Sequence, residues 1–103
     1  MRKVVWSAAS RRDLIDIVTF IAEDNPFAAD RVVDTIEIVG NKLGLTMTGR
    51  RGRVTGSYEK VVLGLPYILA HEPSRHADGS ETVNILRVIH AARDWPPQEW
   101  PKS

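Results

Sequence analysis

The sequence predicts an α+β domain in which one antiparallel sheet carries a helical hairpin on one face. Three observations carry that expectation. A short β-branched and aromatic run, Lys3-Val4-Val5-Trp6, opens the chain as a strand. Two long stretches then repeat apolar residues at three- and four-residue spacing, the period of an amphipathic helix. Beyond residue 45 that period gives way to short β-rich runs separated by glycine, proline and polar turns. The predicted order is β-α-α-β-β-β, in a single domain spanning residues 1–103.

Each element has its own local reason. Ser7 and Ser10 follow the first strand as N-cap candidates, and Ser10 and Asp13 have the spacing of a capping box. Leu14, Ile17, Val18 and Ile21 then form the apolar stripe of a first helix, with Arg12, Asp13, Asp16 and Glu23 opposite. Asn25-Pro26 stops this helix and starts the next, since Asn caps well and Pro suits a first turn. Ala29, Val32, Val33, Ile36, Val39 and Leu43 continue the pattern to an end near Gly40–Gly44. So short a link between two helices makes an antiparallel hairpin. Thr46–Gly56, with three glycines and three arginines, reads as a basic loop. Tyr58–Leu63, Tyr67–His71 and Thr82–His90 read as strands. They are joined by the Gly64-Leu65-Pro66 turn and by a polar loop from Pro73 to Ser80. Short connections make the three a meander. Residues 95–103, with three prolines and two tryptophans, read as an irregular tail.

Composition excludes several classes. Apolar residues make up 43% and charged residues 26% of the chain, as in an ordinary globular domain with a small core. The net charge of +1 argues neither for nor against nucleic acid. The absence of cysteine rules out disulfide staples and thiolate metal sites and fits a cytoplasmic location. No apolar run approaches the length of a membrane span. The basic start, MRKVVWSAASRRDL, lacks the continuous apolar region of a signal peptide. His71 and His76 flank Pro73 with no further good ligand nearby, so no metal site is expected there, and no cofactor is implied.

Five segments in order resemble the RelE/ParE superfamily of type II toxins, and the ParE branch more closely. They are VVWS entering a helix, RRDLIDIVTFIAEDNPFAADRVVDTIE, GRRGRVTGSYEKVV, PYIL, and the closing ILRVIHAARDWP. Together they cover nearly the whole chain. The last is the most specific, an apolar strand running into His-x-x-Arg-Asp-Trp. The resemblance implies a small toxin neutralised in a hetero-oligomeric complex by a ParD-like antitoxin whose tail wraps its surface. The superfamily holds two activities on one scaffold, so fold alone does not choose between them. RelE-like members cleave messenger RNA in the ribosome, whereas ParE-like members poison DNA gyrase.

The choice rests on cations. Cleavage by 2′-OH attack needs a base, an acid and positive charge for the phosphate. RelE-like toxins place basic residues on the middle strands. Here those stretches read Val61-Val62-Leu63 and Tyr67-Ile68-Leu69, with Lys60 as the only cation inside them. Arg87, His90 and Arg93 would be the nuclease set. Yet residues 87 and 90, three apart on a strand, fall on opposite faces, and Arg87 is expected to pair with an acidic residue from a helix. The sequence therefore favours gyrase as target and no catalytic residues, with Arg50, Arg51, Arg53, Arg93 and Trp95 as the target-binding candidates. The positive field of the three loop arginines suits a nucleic-acid-containing target. The helical hairpin and the sheet should leave an apolar groove for the antitoxin.

Overall fold

The computed structural model describes residues 2–91. Seven elements follow in order: β1 (Lys3–Trp6), α1 (Ala8–Ala22), α2 (Pro26–Lys42), β2 (Arg50–Arg51), β3 (Tyr58–Val61), β4 (Tyr67–Arg75) and β5 (Glu81–His90). The predicted α+β architecture and element order hold, with the two-residue β2 added inside the basic loop.

Both helix starts follow from single side chains. Ser7 caps α1, its Oγ accepting from the Ser10 amide at 3.0 Å. Ser10 is not the cap. It is fully buried, and its hydroxyl donates to the Ser7 carbonyl at 2.8 Å. Asn25 caps α2 by accepting from the Ala28 amide at 3.1 Å, with Pro26 at the first helical position.

The five strands lie in the order β1-β5-β4-β3-β2. Strands β2 to β5 pair antiparallel, as expected of a meander. β1 departs from the all-antiparallel expectation and runs parallel to β5. The physical reason is connectivity: the chain leaves β1 directly into two helices, so no hairpin partner follows it. β4 also extends to Arg75, past the loop expected from Pro73 onward. Beyond His71 it has no partner on the β3 side. Pro73 thus sits on an edge, where a missing ladder donor is tolerated. The β4–β5 register shifts once, between Ala70 and His71, leaving Leu86 as the extra residue of a bulge.

The core lies between α2 and the sheet. Ile36 packs on Val62, Leu69, Ile85 and Val88, and Trp6, Leu14, Val32 and Val39 close its sides. Gly40 permits the close approach of α2. A Cβ there would stand 2.5 Å from the Trp6 ring and 2.8 Å from the Ile85 side chain.

β5 has a second edge that β1 covers only as far as Ile85. Ser7 then takes over, its amide donating to the Ile85 carbonyl at 3.0 Å and its hydroxyl to the Leu86 carbonyl at 2.8 Å. Asp13 of α1 finishes the edge. Its Oδ2 accepts from the Val88 amide at 2.9 Å and from Arg87 Nε at 2.8 Å, while Oδ1 accepts from Arg87 Nη2 at 3.0 Å. The two side chains are only 12% and 17% exposed. Breaking a pair this buried costs about 3–5 kcal/mol, because the remaining charge keeps no partner. Asp13→Ala should therefore lower urea-unfolding stability by several kcal/mol. The double variant Asp13→Ala/Arg87→Met should recover a large part of that loss. A single variant as stable as wild type would show that the edge does not depend on Asp13.

Candidate functional site

Of the nuclease set, Arg87 and His90 lie on β5 and Arg93 lies outside the described residues. The bulge at Leu86 precedes Arg87, so alternation from 87 to 90 is undisturbed. Val88 pairs with Leu69 and His90 with Tyr67 on the face that α2 covers, and Arg87 pairs with Ala70 on the other. The Arg87 guanidinium is held by Asp13, the helical acidic neighbour expected for it. The His90 ring is exposed and stands edge-on to Tyr67, with centroids 5.6 Å apart. Of the middle-strand cations, Lys60 stands beside the α2–β3 groove. The longer β4 adds Arg75, whose Nη2 lies 3.0 Å from Glu81 Oε1. His76 is on the exposed turn after β4, 3.2 Å from the Thr82 hydroxyl.

The basic loop is built around a buried carboxylate that sequence reasoning missed. Glu59 on β3 is only 4% exposed. Its Oε2 accepts from the Arg53 amide and from Arg53 Nε, both at 2.9 Å, and Oε1 accepts from Arg53 Nη2 at 3.2 Å. Arg50 approaches the same carboxylate at 3.9 Å, with its side chain 68% exposed. Burial pushes the Glu59 carboxyl up, but the Arg53 hydrogen bonds and the charges of Arg53 and Arg50 outweigh it, leaving the pKa below the usual range. The three arginines are thus not one solvated patch. Arg53 ties the loop down, whereas Arg50 and Arg51 project outward. The signal available in the sequence was Glu59 alone in an otherwise apolar and basic strand. Of the other expected contacts, Trp95 lies outside the described residues.

An apolar groove of about 450 Å³ opens where the end of α2 meets β3. Val39, Leu43, Leu45, Val61 and Leu63 line it, and Lys42 and Lys60 flank it. Leu45 and Leu63 are strongly exposed, at 67% and 88%. β2 pairs only with Tyr58 and Glu59, so the β3 edge at Lys60 and Val61 carries no strand among the described residues.

Behind this groove His71 is fully buried. Its ring stacks on Tyr58, with centroids 6.1 Å apart, and Nδ1 lies 3.1 Å from the Leu69 carbonyl. Nε2 makes no hydrogen bond in the described structure. Burial pushes the imidazole pKa below its ordinary 6.5, opposed by the Leu69 and Thr48 backbone and reinforced by the Lys60 charge. The neutral ring is the folded form, so the unfolded chain binds the proton more readily. Stability should then be full above about pH 6.5 and fall as the pH drops through the unfolded value. Thermal melts between about pH 7 and 5 should show this decline, and His71→Leu should flatten it. An unchanged slope in the variant would remove His71 as its source.

The comparisons with known proteins agree with this architecture. The family model described as "ParE toxin of type II toxin-antitoxin system, parDE" matches residues 4–95. The chain is 34% identical over 96 residues to "Putative toxin Y4kP" of Sinorhizobium fredii, covering 92% of this chain and 94% of that protein. It is 32% identical over 94 residues to "Toxin RelE2" of Caulobacter vibrioides, covering 90% and 99% respectively. A solved structure titled "Chromosomal ParDE TA system from P. aeruginosa" superposes with a TM-score of 0.75 at 19% identity, over 87% of this chain and 96% of that one, a likeness of fold. The chain belongs to the ParE toxin family of type II toxin–antitoxin systems.

Proposed function

We propose that this toxin acts in the cytoplasm by poisoning DNA gyrase rather than by cutting RNA, and that a ParD-like antitoxin neutralises it by direct binding. The observation that carries the target is the fate of Arg87. A nuclease in this fold must stabilise a phosphate that gains negative charge, and each missing contact costs on the order of 10²–10³ in rate, by analogy with a lost oxyanion donor. Arg87 is bound to Asp13 and lies across the sheet from His90. His90 can move a proton but does not by itself hold a phosphate. The second reading, a ribosome-dependent endoribonuclease, draws on the exposed His90 and on the relative named Toxin RelE2.

The antitoxin reading rests on the groove between α2 and β3. An apolar trough beside a strand edge left open among the described residues suits an extended or helical tail carrying apolar anchors, and Lys42 and Lys60 favour acidic residues in it.

Two assays on one preparation separate the targets. The purified chain should leave messenger RNA intact in translating ribosomes and should cause gyrase to accumulate linear DNA. Codon-specific cutting without linear DNA would reverse the choice.

The loop gives a second test. Arg50 and Arg51 project from it and are candidates for meeting the gyrase–DNA complex, with Arg53 excluded from the comparison because Glu59 depends on it. Arg50→Ser/Arg51→Ser should melt as wild type does, since exposed changes cost little stability. It should also weaken growth arrest. Full toxicity in this folded variant would take the loop out of the mechanism.

A further inference from the structure

The far end of the helical hairpin carries a surface that neither the groove nor the basic loop explains. Phe20, in the last turns of α1, is 73% exposed, and Phe27, in the first turn of α2, is 80% exposed. The short Glu23–Asn25 link places both rings at the same end of the hairpin. Single exposed aliphatic residues are ordinary, but two large aromatics left bare at one tip are not. The surrounding charge is predominantly negative: from Ile15 to Arg31 the chain holds Asp16, Glu23, Asp24 and Asp30 against one cation, Arg31, a turn beyond Phe27 in α2. All four acids are exposed.

We propose that this acidic, aromatic tip is the surface by which the toxin grips its target, and that it seats in an apolar recess on a basic protein surface. Charge complementarity selects the occupant. Nucleic acid would be repelled by four carboxylates, so the tip meets protein rather than phosphate. Phe27 also begins the helix whose other end, at Val39 and Lys42, lines the groove. At 1.5 Å per residue the two lie on the order of 20 Å apart. The groove's cations attract an acidic tail, whereas the tip repels it. A single acidic antitoxin tail therefore favours one end and leaves the other to a different partner. Exposed aromatics buried in a recess are common anchors of an interface. The inference rests on the chain acting as a toxin, whichever molecule it attacks.

The test uses inducible expression of the full chain with two double variants, Phe20→Ser/Phe27→Ser and Glu23→Lys/Asp24→Lys. The readouts are the inducer concentration that halves growth, the melting temperature of each purified variant, and capture by the co-expressed antitoxin. Both variants should melt near wild type and be captured as wild type is, because the changes are confined to exposed side chains. Each should need roughly tenfold more inducer, the loss expected of about 1.4 kcal/mol of binding energy. Undiminished toxicity in either folded variant would overturn the proposal. So would greater toxicity in the lysine variant, which would mean an acidic occupant, or a parallel loss of antitoxin capture, which would give the tip to the antitoxin. If the wild-type chain does not arrest growth, the toxin reading fails and the proposal fails with it.

Discussion

The outer edge of β5 is the constraint on which the rest of the molecule depends. β5 is the most buried strand and must satisfy ladder groups on both sides. β4 supplies one side along its length, but β1 is only four residues long and reaches Ile85. From there the edge passes to the first turns of α1, through the Ser7 hydroxyl and then the Asp13 carboxylate. A buried amide left without an acceptor is costly. The same contacts fix where α1 crosses the sheet and how the helical hairpin lies over it. Ser7 serves both purposes, since it caps the helix and covers the strand.

That solution also decides which cations remain available. The guanidinium of Arg87 lies next to the Val88 amide and is drawn to the same carboxylate. Arg2 and Arg75 converge on Glu81, and Arg53 on Glu59. Four cations that look like part of a dispersed positive surface in the sequence are therefore bound up in holding strand ends and loops: Arg2, Arg53, Arg75 and Arg87. While Lys3, Arg11, Arg12 and Arg31 are exposed elsewhere, Arg50, Arg51, Lys42 and Lys60 lie on the side of the molecule formed by the loop and the end of α2. The helical tip opposite them is acidic. Apolar residues are exposed at both ends, Leu45 and Leu63 beside the groove and Phe20 and Phe27 at the tip.

The loop illustrates how one buried group can organise a segment poor in regular structure. Glu59 takes up the amide and side chain of Arg53, and the Ser57 hydroxyl donates to the Val54 carbonyl at 2.6 Å. Gly49, at φ 127°, brings the backbone against Glu59, where a Cβ would stand 2.8 Å from the Glu59 carbonyl oxygen. Arg50 and Arg51 are thereby held out from a fixed base.

Periodicity, caps and turn residues determined most of the architecture by themselves. The stripe from Leu14 to Leu43, the Asn25-Pro26 boundary and the Gly64–Pro66 turn act over a few residues, so their effect is visible locally. The ordered segments likewise sufficed to place the chain among toxins of this kind. Tertiary structure decided what depends on distant partners. Only packing shows that β1 lies parallel to β5, because local sequence carries no record of which edge a strand will meet. Pro73 reads as a strand breaker until β4 proves to be an edge there. Asp13 reads as a capping residue until α1 is laid against β5. Arg53 reads as part of the basic loop's positive field, and Glu59 goes unremarked, until the loop folds onto β3. In each case the deciding interaction joins groups that only the assembled fold brings together, and charge pairing depends on that distance more than on any local pattern.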